Sequence, residues 1–149
     1  MEIGYLWLAL SLFLFLMTTG AAIALAAVAF PLVRLASEEQ FPKAFRQFGQ
    51  RIMWSYGVLA LLSLVFCGLL SLYPPYSFPD GMMGWMAVVF GLLAVTTISS
   101  QVASRKLKRN GYNAGIIGRL GFLLWVSVLD WLVGSSLLVY AFVDVVGLV

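Results

Sequence analysis

Apolar residues run almost unbroken through four stretches of the chain, about 4–33, 52–73, 83–104 and 119–143, and polar positions gather in the short segments between them. At about 1.5 Å of rise per residue, each stretch crosses a hydrocarbon core of about 30 Å as an α-helix. The pattern predicts an all-α membrane protein with four transmembrane helices in an up-down bundle, one domain over residues 1–149. Glu2 precedes the first run and no basic residue does, which speaks against a secretory leader and for a mature helix. Within that run, Gly20, Ala24 and Ala27 form one row of small residues and Ala22, Ala26 and Ala29 another, both suited to close helix packing. Pro31 is expected to end or kink the helix.

The links have patterns of their own. In SEEQFPKAFRQFGQR, Phe41, Phe45 and Phe48 fall at i, i+4, i+7 with Lys43, Arg46 and Arg51 between them. This predicts an amphipathic segment lying at the membrane surface, with Pro42 opening a helical turn and the rings and Arg46 meeting lipid headgroups or a partner. YPPYSFPDG reads as a stiff turn with Tyr73, Tyr76 and Phe78 at headgroup level. Arg105, Lys106, Lys108 and Arg109 close the third helix and are expected to face anionic headgroups, and Asn113 is expected to cap the fourth. Thr96, Thr97, Ser99, Ser100 and Gln101 read as interhelical bonding groups, with a polar conduit as the sharper alternative.

Composition narrows the class. With 62% hydrophobic and 10% charged residues in 149, the chain has no room for a separate soluble domain. A net charge of +3 could point to nucleic acid, but all nine basic residues lie within 34–51 and 105–119, which is a record of membrane topology. It predicts that both basic links are cytoplasmic, that the termini lie on the other side of a cytoplasmic (inner) membrane, and that no nucleic acid is bound. Histidine is absent, which argues against haem and catalytic zinc, and Cys67 reads as a small buried hydrophobe. No cofactor beyond lipid is expected; Met82, Met83 and Met86 are a weak alternative as thioether ligands for Cu(I), against ordinary packing. There is no phosphate loop and no Ser/His or Cys/His pair, and Glu38 and Glu39 are adjacent among cations, so no self-contained catalytic constellation is present.

One residue departs from the apolar pattern at mid-membrane: Asp130, in VSVLDWLVG. A carboxylate at that depth costs about 2.5–3.5 kcal/mol on insertion scales, so it is expected to face protein and to be neutral. Ser127 and Gly134 share its face. Counted from the helix midpoints, Thr18, Thr19, Ser63 and Thr96 lie at its level, and Asp130 is expected to hydrogen-bond at least one of them. Placing CGLLSLY over GSSLLVY sets Ser63 against Asp130, a hint of a parallel duplication.

Four apolar helices, the FPLVRL exit from the first, the basic link with spaced phenylalanines and the Arg-rich link before the fourth together resemble small bacterial inner-membrane families, CopD-like copper-resistance membrane domains among them. The resemblance implies an up-down four-helix fold. It does not imply copper transport here, because histidine is missing. Two functions stay open: an accessory or assembly subunit packing against other membrane subunits or a second copy, and a small oligomeric transporter or channel with Asp130 as proton or cation site.

Overall fold

The structure, a computed structural model, describes residues 3–147, apart from the side chains of Ile52 and Met53. Each apolar run falls, to within a residue, inside one long helix: α1, Ile3–Arg34; α2, Phe41–Leu72; α3, Met82–Asn110; α4, Ala114–Val146. Among the described residues there is no strand. The protein is an all-α helical bundle, each of whose four helices is long and apolar enough to cross a membrane. At 29 to 33 residues they measure roughly 43–50 Å, so their ends project beyond a core of about 30 Å.

Pro31 does not stop α1. The turn before it, Leu25–Ala29, widens into a π-helix in which the Phe30 N–H bonds Leu25 O, five residues back. Proline lacks an N–H and its ring collides with the carbonyl four residues earlier; a widened turn relieves both, and the helix continues to Arg34. Of the two small-residue rows in α1, Ala22 and Ala26 are buried with Ala29 packed beside them, whereas Gly20, Ala24 and Ala27 are exposed.

The segment with the spaced phenylalanines corrects the surface-lying expectation. It is the first three turns of α2, with Pro42 in its opening turn, and Phe41, Phe45 and Phe48 are buried within the chain. Phe41 stacks on Phe45 at 5.5 Å and meets Tyr112 edge-on at 5.4 Å, and Phe48 lies 6.3 Å from Phe30. The i, i+4, i+7 row is therefore the packing face of a helix extended past the membrane, and it faces α1 and the α3–α4 link. Arg46 and Lys43 stay exposed on the other side.

α1 is the centre of the bundle. α2 and α4 pack along it, and α3 packs on α4, but α2 and α3 scarcely touch although they are consecutive. In space the order is α2, α1, α4, α3, an arc left open between its two end members. At one end the 73–81 link folds over the start of α1, where Pro75 is buried and a Cβ on Gly4 would lie 2.6 Å from its nitrogen. At the other end, which carries every basic residue, Gly111 turns the chain at φ 74 and the Asn113 side chain accepts the Ile116 N–H at 3.1 Å, the expected cap of α4. Trp85, Tyr73, Tyr76 and Tyr140 are exposed toward the first end and Trp54 and Tyr112 toward the basic end, as two aromatic belts would be.

A candidate intramembrane polar site

Three polar arrangements meet at the middle of the bundle. The first joins α1 to α2: the hydroxyls of Thr18 and Ser63 are 2.8 Å apart. One proton lies between them, and the other goes to a carbonyl of its own helix, Leu14 O at 2.7 Å or Leu59 O at 2.9 Å. The second joins α1 to α4: Thr19 Oγ1 lies 2.8 Å from Ser135 Oγ, 2.8 Å from Phe15 O and 3.2 Å from Trp131 O. The third spans α2 and α4, where Trp131 Nε1 donates to Tyr56 Oη at 2.7 Å. The Trp131 ring is buried and meets Phe15 edge-on at 4.9 Å.

Asp130 faces inward and is about nine-tenths buried, at 9% exposure. Ser127 and Tyr56 are its neighbours on the α2 side, and Thr96 stands beside it on α3. Thr96 Oγ1 lies 3.0 Å from Leu92 O and 3.1 Å from Leu93 O, so it donates to its own helix and keeps a lone pair with which to accept from the Asp130 carboxyl beside it. Asp130 Oδ2 has no hydrogen-bond partner, and Trp7 Nε1 and Ser11 Oγ on α1 are likewise buried and unpaired. Of the four hydroxyls expected to bond Asp130, Thr18, Thr19 and Ser63 pair elsewhere, and only Thr96 stands within reach of it. The other three lie at the right depth but face the α1 contacts, whereas Asp130 faces α3. The nearest cation on its own helix, Arg119, lies about 16 Å away along α4.

The sequence reading missed Tyr56, Ser135 and Ser11. Ser135 could have been found as the hydroxyl four residues after Trp131 on the α4 face that packs on α1; Tyr56 gave no signal beyond being aromatic. Of the methionines, Met82 and Met86 are buried together in the core, and Met83 lies off their face, half-buried.

Tyr56 and Trp131 also form the floor of an opening. Between α2 and α3 a cleft of about 480 Å³ is lined by Gly57, Ala60, Ala94, Thr97 and Gln101 together with large apolar side chains, Leu61, Leu64 and Ile98 among them. Toward the basic end two further hollows, one lined by Gly49, Ser100, Ser104 and Lys108 and one by Gly49, Trp54 and Val58, also border Gln101. A second groove, between α1 and α2, is lined almost entirely by apolar side chains, with Gln47 and Arg51 at its basic end. Comparison with family models, with curated proteins and with solved structures gives no match to this chain.

Proposed function

We propose that the protein is an accessory subunit of a larger membrane complex and that one transmembrane helix of a partner lies in the cleft between α2 and α3. The observation that carries this reading is the open arc: two consecutive helices that a closed bundle would pair are held apart over a cleft in which Gly57, Ala60 and Ala94 alternate with large apolar side chains such as Leu61, Leu64 and Ile98. Glycine and alanine let a neighbouring backbone approach closely, and the exposed Gln101 amide offers a hydrogen bond that lipid tails cannot return. Gly57→Trp tests it, because nothing lies within 4 Å of a Cβ at Gly57 and the indole fills the cleft without disturbing the bundle. Purified gently from native membranes, the wild type is expected to retain a second membrane polypeptide and Gly57→Trp to lose it. A lone monomer, a homodimer, or a complex indifferent to the substitution overturns the reading.

A second reading is favoured by the unpaired carboxyl oxygen: Asp130 as an intramembrane proton or cation site. Asp130→Asn preserves size and hydrogen bonding and removes titration. Proton- or cation-dependent flux in vesicles is expected to vanish in the variant if Asp130 carries it; flux equal to wild type would leave Asp130 a structural acid.

The location follows the charges. With every basic residue at one end, the two basic links face the cytoplasm, in a cytoplasmic-type membrane, and both termini lie on the other side. Reporter fusions at the C-terminus are expected to be active outside the cytoplasm; cytoplasmic activity would reverse the assignment.

A further inference from the structure

At the basic end, α3 and α4 frame a cavity of about 210 Å³ lined by Ser99, Lys106 and Ala103 on α3 and by Ile116 and Arg119 on α4, with Ile98 and Val102 at its edge. Lys106 lies four residues before the end of α3 and Arg119 five after the start of α4. On antiparallel neighbours that puts both cations about 6–8 Å inside the helix ends, at one level. Ser99 is about 10 Å deeper along α3. The cavity therefore grades from two cations, through a hydroxyl, to apolar surface, and the surface continues outward as the exposed row Val95, Ile98 and Val102. Among Arg105, Lys106, Lys108 and Arg109, the cations expected to face headgroups, only Lys106 enters this cavity, and Arg119, which joins it, stands outside that cluster in the sequence.

We propose that this cavity binds one anionic phospholipid, with its phosphate between Lys106 and Arg119, the Ser99 hydroxyl donating to a glycerol or ester oxygen, and an acyl chain along Val95, Ile98 and Val102. A planar guanidinium and a mobile ammonium converging from two helices match a phosphate's charge and its spread of oxygens. The apolar continuation selects a lipid over a free anion, because inorganic phosphate has nothing to place there. Basic pockets between membrane helices are suited to such headgroups.

The test uses the full chain in neutral detergent, titrated with phosphatidylglycerol and followed by native mass spectrometry at near-physiological salt. One phosphatidylglycerol is expected to remain bound, phosphatidylcholine is not, and inorganic phosphate at matched concentration does not displace it. The double variant Lys106→Gln/Arg119→Gln is expected to weaken binding by about thirtyfold, from ~1 kcal/mol per cation. Lys108→Gln/Arg109→Gln removes the same charge outside the cavity and is expected to change binding by less than about threefold, because neither side chain lines the cavity and salt screens their longer-range pull on the phosphate. All four side chains are exposed, so neither pair is expected to unfold the bundle. Equal losses in the two doubles, no preference over phosphatidylcholine, or displacement by inorganic phosphate would each overturn the proposal.

Discussion

Gly134→Val is expected to destabilise the bundle more than valine at any other glycine away from the helix ends. A Cβ at Gly134 would lie 2.7 Å from Phe15 Cε1, 3.2 Å from Phe15 Cδ1 and 3.3 Å from a Val89 methyl, which places α1, α3 and α4 around one point. Phe15 cannot swing clear, because it is fully buried between Trp131 at 4.9 Å and Phe90 at 6.0 Å. Overpacking of this kind costs about 1–3 kcal/mol, and valine adds two methyls where one carbon is already too close. Gly134→Ala should fall between wild type and valine, since alanine's helix propensity recovers up to about 1 kcal/mol. Gly118 meets nothing within 4 Å, so Gly118→Val is the control and is expected to unfold with wild type. The measurement is unfolding in mixed micelles by a denaturing detergent. If Gly134→Val unfolded at the same midpoint as Gly118→Val, the close approach of α1 and α4 described above would be wrong.

Trp131→Ala is the second large effect. The indole is buried, meets Phe15 edge-on, and hydrogen-bonds Tyr56 across to α2. Removing a buried Trp or Phe in soluble cores costs about 3–5 kcal/mol. In a membrane the unfolded helices remain in lipid, so the transfer part shrinks and the packing part persists; about 2–3 kcal/mol is the expectation. Trp131→Phe separates the two contributions, because it keeps most of the ring contact and deletes only the N–H. Interhelical hydrogen bonds in membranes average about 0.6 kcal/mol, so Trp131→Phe should be mild. Equal losses for Ala and Phe would mean that the bond to Tyr56, and not the ring, holds α2 to α4.

Depth in this protein was legible from sequence, and facing was not. Counting residues along four apolar runs placed Thr18, Thr19, Ser63, Thr96 and Asp130 near one level, and the structure buries all five. Which of them meet depends on rotation about each helix axis, and in helices that are apolar all round the sequence gives almost no rotational signal. So Ser63 could not be assigned to Thr18 rather than to Asp130, and Ser135 went unnoticed as the partner of Thr19. The Phe41, Phe45 and Phe48 row failed for another reason. An apolar stripe on a charged segment has the same pattern whether a bilayer surface or the protein's own Phe30 and Tyr112 covers it. The open side between α2 and α3 left no trace either, because lipid-facing and partner-facing residues are drawn from one apolar alphabet.

The wide turn at Leu25–Ala29 also fixes the reading frame of α1. The inward residues Thr18, Ala22, Ala26 and Phe30 follow one another at intervals of four, each of which drifts by about 40° in a 3.6-residue helix, and the π turn absorbs the surplus. Deleting one residue there would give a more regular helix and a worse protein: everything beyond it would turn by about 100°, carrying Phe30 away from Phe48 and from the Gly121 surface it touches at the basic end. The irregular turn thus works as a phase corrector, letting a single rod keep one buried face turned to its neighbours α2 and α4 on both sides of a proline.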